Sequence, residues 1–311
     1  MTGSRASSAS LATGLVTAIV LWGGNNVALK QVVSQWPPLW TGSTRFLLAG
    51  LLLTGWLRWS PGLARPAQPP ARLVAGLWWR GGLSLAVYIA ACNWTLRFIP
   101  ASHFALDMAT SPVWALLLEG APRGAGERLR RWGAATLAFA GVLVLLRPSL
   151  HGASGSHGIG ELLGLGSAFL WTLHNRQTKA LATGWSGAAV TAHSMWRAGV
   201  LMLPVAVAEL LVAGRWPAAE GRVVALHLFC ITLGGVVPFA LWNHALAHWP
   251  VSRVTLFGNL IPLSTMAWAA ATLSEPFSPT FGLAMALILA GVLLGQTDLA
   301  RRFTRGWSPE E

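Results

Sequence analysis

Residues 93–112, NWTLRFIPASHFALDMATSP, have a second version 150 positions later, NHALAHWPVSRVTLFGNLIP at 243–262. Without a gap, Asn93 pairs with Asn243, Leu96 with Leu246, Pro100 with Pro250, Ser102 with Ser252, Leu106 with Leu256 and Pro112 with Pro262. The same offset returns at Ala140-Gly141-Val142-Leu143 against Ala290-Gly291-Val292-Leu293. At an offset of 149, Trp22, Asn26 and Lys30 match Trp171, Asn175 and Lys179, and farther on Arg45 has a counterpart in Arg197. Coincident Leu and Ala mean little in an apolar chain, but coincident Pro, Asn, Trp and charged residues mark two copies of one unit.

What each copy contains follows from composition. Of 311 residues, 54% are hydrophobic and 10% charged, against roughly 25% charged in soluble domains. The apolar residues fall into ten blocks, about 11–29, 39–57, 77–96, 101–118, 132–147, 160–178, 187–211, 224–246, 251–273 and 280–296. Each block is near the length that crosses about 30 Å of hydrocarbon as a helix. The expected fold is therefore all-α and integral to a membrane, with ten transmembrane helices from two five-helix repeats. Five is odd, so the repeats are inverted, with half-sites about a shared midplane. The first repeat spans 11–147, a periplasmic linker 148–159, the second repeat 160–296, and tails cover 1–10 and 297–311.

The net charge of +12 invites a nucleic-acid reading until the basic residues are placed. They cluster between blocks, fourteen in one alternating set of connections and five in the other. By the positive-inside rule this puts both termini in the cytoplasm of a bacterial inner membrane. The excess charge is thereby accounted for without nucleic acid. The first block continues apolar past Leu21-Trp22-Gly23-Gly24-Asn25-Asn26 with no small-x-small cleavage site, so it reads as an uncleaved helix. Cys92 and Cys230 sit inside apolar blocks and read as small buried hydrophobes.

The pattern LWGGNNVALK at 21–30, a turn containing Pro37 and Pro38, and RFLLAG at 45–50 resembles the opening of an EamA domain, the repeat unit of the drug/metabolite transporter superfamily. Pro100-Ala101-Ser102, Pro112, Gly126-Glu127-Arg128-Leu129, Pro250, Pro262 and Ser274-Glu275 extend the similarity over about residues 11–296. The resemblance implies ten helices, cytoplasmic termini, a central cavity, and transport of amino acids or other small metabolites, commonly outward. Glu119-Gly120-Ala121-Pro122-Arg123 departs from the usual apolar continuation of the fourth helix.

A charge at midmembrane costs about 3 kcal/mol or more, so each one retained there is a functional candidate. Asp107 lies within the fourth block and its repeat partner is Phe257. It reads either as a proton-titrating or amine-binding carboxylate, or as a helix–helix partner paired with Arg45 or Arg197. Those two arginines are repeat-related and read as structural charges. Lys30 and Lys179, at block ends, read as snorkelling to the headgroups. Asn25, Asn26, His174 and Asn175 hold matching positions after Trp22 and Trp171 and are candidate substrate contacts from both repeats. Trp22, Trp94, Trp171 and Trp242, with Tyr88, lie deep enough to line an aromatic cavity suited to apolar groups and amine cations. His244 and His248 are four apart, but His248 lies at the membrane edge, so no metal site is expected, and no cofactor.

No phosphate-binding glycine loop, HExxH, GxSxG or CxxC occurs, and an enzyme is not expected. The expectation is a secondary transporter, monomeric or homodimeric, exporting amino acids or related amphipathic compounds by alternating access, with Asp107 and the cavity amides as candidate binding or coupling groups and proton coupling as the hypothesis that Asp107 motivates. Its partners are a small-molecule substrate and the lipid bilayer. An anionic-metabolite importer or exchanger, which needs cationic groups facing the cavity, and a lipid-acting membrane enzyme, which needs His, Asp or Glu clustered at one membrane face where the sequence shows no such cluster, are the alternatives.

Overall fold

The computed structural model describes residues 8–59, 71–118, 124–150, 155–182, 185–214, 216–249, 254 and 257–305. The atypical segment 119–123, residues 1–7 and 306–311 of the tails, and Pro250 and Ser252 of the repeat lie outside them. Among the described residues there are helices and no strands.

The first repeat comprises α1 (Ser8–Gln35), α2 (Pro38–Trp59), α3 (Ala71–Gly76) continuing through a π-helical stretch (Leu77–Leu83) into α4 (Ser84–Phe98), α5 (Ala101–Met108), α6 (Ser111–Leu118) and α7 (Ala125–Leu150). The second comprises α8 (Gly155–Leu181), α9 (Gly187–Ala213), α10 (Gly221–Ile231) continuing through a second π-helical stretch (Thr232–Val236) into α11 (Val237–His248), α12 (Ile261–Leu273) and α13 (Pro279–Arg305). Four stretches, Ser8–Gln35, Leu73–Phe98, Gly187–Ala213 and Gly221–Ala245, are long and apolar enough to cross a membrane by themselves. Leu51, Leu211, Val212 and Leu293 are among the large apolar side chains left exposed on the outside, as a lipid-facing surface requires.

Local structure repeats with the sequence. Ile99 and Trp249 end their helices in the same extended conformation, φ −119° in both, because each precedes a proline that excludes the helical region. The π-helical stretches contain Gly81-Gly82 and Gly234-Gly235, all four buried. The block at 101–118, expected as one helix, is broken at Ala109-Thr110. Pro112 has no N–H to offer Met108, and the hydroxyls of Thr110 and Ser111 donate back to the carbonyls of Asp107 and Met108.

Packing repeats too. A Cβ at Gly141 would stand 2.7 Å from Ala284 O, and one at Gly291 2.6 Å from Ala134 O; likewise Gly50 abuts Trp196 and Gly199 abuts Leu47. The Gly141 contact becomes the Gly291 contact when the halves are exchanged, the reciprocity of a two-fold interface. Ser43 bonds Gly199 O and the amides of Leu39 and Trp40 bond Glu209, so α2 runs opposite to its repeat equivalent α9. The same holds for α7 and α13.

Candidate functional site

Helix α8 packs on α4 with one face and on α5 and α6 with another. Its seam with α5 and α6 carries the least explained polar groups of the described structure. Asp107 is fully buried, and both its carboxylate oxygens lack a hydrogen-bond partner. It lies on Gly164, where a Cβ would stand 2.9 Å from Asp107 Cγ, so only glycine admits it. Beside Asp107 is the carboxyl of Glu161, one turn back along α8 and also fully buried. Glu161 Oε1 meets His103 Nδ1 at 2.6 Å and His157 Nε2 at 3.9 Å, while its Oε2 has no partner. Farther along, Thr172 Oγ1 donates to Ser111 O at 3.1 Å. The seam ends in a cleft of about 430 Å³ lined by Arg80, Leu118, Leu173, Arg176, Gln177 and Ala180.

The other half of the molecule shows how this contact closes without polar groups. The repeat equivalents of Asp107, Glu161 and Gly164 are Phe257, Ala12 and Leu15. All three belong to one apolar cluster with Leu11, Ala245, Trp249 and Val254. The fold thus does not require carboxyls at this place.

Asp107 has no ion pair with Arg45 or Arg197. Arg45 is buried and its Nε donates to the carbonyl of Cys230 at 3.3 Å, which caps the turn where α10 passes into its π-helical stretch. Arg197 is buried too; it bonds the ring and carbonyl of His193 and lies 4.1 Å from the Trp196 ring centroid. Lys30 donates to Leu96 O at 2.7 Å, at the end of α4, rather than reaching outward. Both free cysteines are buried, as their apolar settings suggested.

The remaining aromatic candidates fall into two groups, each drawn from both repeats. In one, Trp22 touches Phe239 and Trp242, with ring centroids 5.4 and 5.3 Å apart. In the other, Trp171 touches Tyr88 at 5.1 Å and His174 at 5.7 Å. Asn25 is buried against Gly234 with its Oδ1 unpartnered, and the equivalent His174 bonds Ser84 Oγ at 2.8 Å through Nδ1. Asn26 donates to Thr265 Oγ1 at 3.1 Å. Asn175 is exposed and stands apart from these groups, and Trp94 faces Phe98 one turn on.

Sequence reasoning missed Glu161, His103 and His157. The signal was present as His103-x-x-x-Asp107 and His157-x-x-x-Glu161, two pairs at the spacing that shares a helix face. Glu209 and Glu275 were missed as well, and both cap first-repeat helices. Glu209 accepts from the amides of Leu39 and Trp40, and Glu275 from the amides of Ala101 and Ser102 and the Ser102 hydroxyl. These two carboxylates meet helix N-termini, where negative charge is favoured, and so need no functional account.

The model of the EamA-like transporter family matches this chain twice, at residues 10–147 and 158–295. A probable amino-acid metabolite efflux pump of Escherichia coli (strain K12) is 26% identical over 302 residues, covering 91% of this chain and 94% of that protein. A probable terminal-alkyne amino-acid exporter of Streptantibioticus cattleyicolor is 26% identical over 296 residues, covering 93% and 94%. A protein of solved crystal structure, 21% identical, covers 95% of this chain and all of its own length with a TM-score of 0.59. That likeness speaks to the fold.

Proposed function

Because the chain belongs to the EamA-like transporter family, we propose that it is a secondary exporter of amino acids or related amphipathic amines, with Asp107 as the group that receives the substrate ammonium. The antiparallel run of repeat-equivalent helices supports two inverted five-helix repeats crossing the inner membrane ten times, with both termini cytoplasmic. Repeats so related rock about a shared site. The drive is a gradient rather than nucleotide hydrolysis, since no phosphate-binding loop is present.

The observation that carries the reading is the asymmetry at Asp107. A buried carboxylate without a hydrogen bond is costly, and the second half fills the equivalent place with Phe257, Leu15 and Ala12. A group kept at such cost in one half only is kept for a ligand. An ammonium supplies the charge and donors that both Asp107 oxygens lack. Aromatic clusters at Trp22 and Trp171 suit the apolar part of an amphipathic substrate. Arg80 and Arg176, at the cleft on the side read as cytoplasmic, suit the carboxylate of a zwitterion approaching from within. Arg45 and Arg197, which an anion carrier would turn to its cavity, are held by protein partners.

The test is a thermal-shift panel on the purified protein, because a ligand of the folded state raises its melting temperature. Amphipathic amino acids and amines are expected to raise it, and dicarboxylates and phosphate esters without an amine are not. Stabilisation by the anions alone would overturn the reading.

A further inference from the structure

We infer that His103, His157 and Glu161 form a binding site for a borderline divalent transition-metal ion such as Zn2+. Three observations lead there. The first is ligand geometry: one atom from each residue lies within 4.8 Å of the other two. The measured separations are 2.6 Å for His103 Nδ1 to Glu161 Oε1 and 3.9 Å for His157 Nε2 to the same oxygen. A tetrahedral Zn2+ with bonds of about 2.0–2.2 Å holds its ligands roughly 3.3–3.5 Å apart. The first pair has to open and the second to close by less than about 1 Å, within the swing of the His157 side chain, which is 31% exposed.

The second observation is unmet electrostatics. Among the described residues, neither Glu161 nor Asp107 has an ion pair with lysine or arginine. Glu161 Oε2 and both Asp107 oxygens are buried without hydrogen-bond partners. Apart from the His103–Glu161 contact, the two carboxyls have chiefly each other for company. A divalent cation between the imidazoles and Glu161 balances the two carboxylates, with Asp107 as an outer-shell acceptor for a metal-bound water.

The third is access and donor type. His103 is 20% and His157 31% exposed while Glu161 is fully buried, so the site opens at the rim of the seam and closes below. Two imidazoles and one carboxylate are the donor set of Zn2+ sites with an open fourth position. Calcium and magnesium prefer oxygen alone. Because His103 lies on α5 and the other two ligands on α8, the ion joins the two repeats. Each neighbouring pair is spaced by four residues on its helix, His103 with Asp107 and His157 with Glu161, so the two helix faces meet in register.

The test is direct binding to the full-length protein in detergent after treatment with a chelator. Zn2+ is titrated by calorimetry and thermal shift, and Co2+ by its visible absorption, whose intensity reports a low-coordinate nitrogen and oxygen site. The expected result is one site, a raised melting temperature and tetrahedral Co2+ bands. His157→Ala and His103→Ala should each weaken binding by more than the roughly 10–100-fold typical of an outer-shell partner, with Asp107→Asn falling in that range. His248→Ala, which removes the surface pair with His244, should bind as the parent does. Absence of binding to the parent protein at millimolar Zn2+ overturns the proposal whatever the variants do. So does unchanged affinity in His157→Ala and His103→Ala, or a loss that follows His248→Ala. None of these readouts requires transport, so their failure leaves the exporter reading standing.

Discussion

Asp107 of the first repeat lies face to face with Gly164 of the second, so closely that a Cβ on Gly164 would overlap its carboxyl. The two halves meet there through a carboxyl group and the absence of a side chain. Gly164→Ala must therefore push Asp107 aside or force α5 and α8 apart, a cost of about 1–3 kcal/mol. Denaturation of the purified variant should show that loss, and Asp107→Ala should restore most of it in the double variant, since residues in contact do not add.

Asp107→Asn separates a structural from a functional carboxylate. A group that holds the fold together destabilises when neutralised. A buried unpaired charge relieved of its burden leaves stability equal or higher. The expected melting temperature of Asp107→Asn is at or above that of the parent, measured in the absence of substrate and metal.

The reciprocal glycines offer a test of the pseudo-symmetry. Gly141→Ala and Gly291→Ala each drive a methyl against a backbone carbonyl, of Ala284 and Ala134 respectively. Neither obstacle is a flexible side chain, so both substitutions should destabilise by about 1–3 kcal/mol and by similar amounts. A large difference in their unfolding midpoints would show that the α7–α13 contact is not equivalent in the two directions.

Much of this architecture was legible in the chain. The 150-residue offset predicted which helices correspond, and the Gly141 and Gly291 contacts follow it residue by residue. Asp107 stood out because it interrupts an apolar block. Glu161 did not, because it is the second residue of the block at 160–178, at its edge rather than within it. In fact α8 begins at Gly155, a turn and a half earlier. The meaning of His103 lies in its contact with Glu161, 58 residues away in another segment. Glu209 and Glu275 cap helices 170 and 174 residues away, a relation no local pattern encodes. The π-helical stretches needed the paired glycines to be seen against their neighbours on α9 and α1.

Glu275→Gln should keep the shape of the cap while removing its charge. The amides of Ala101 and Ser102 then lose a charge-assisted acceptor, for an expected cost of about 1 kcal/mol. Thermal or denaturant unfolding of the variant reads this. Zn2+ binding should be unaffected, because the cap lies outside the His103, His157 and Glu161 set.

If the repeats rock against one another and a metal joins them, Zn2+ should inhibit export by the parent protein and leave His157→Ala unaffected. Reconstituted vesicles loaded with substrate and exposed to Zn2+ on either face would show it, and a chelator should restore the rate.

The central claim is that Asp107 receives the substrate ammonium during export. The measurement that tests it most directly is uptake of a labelled amphipathic amino acid into inside-out proteoliposomes containing the parent protein or Asp107→Asn, in metal-free buffer. The parent is expected to accumulate substrate, and the variant, folded and equally reconstituted, to lose about tenfold or more of the rate, since a charge-assisted contact is worth about 1.5–3 kcal/mol. Undiminished transport by Asp107→Asn would contradict the account.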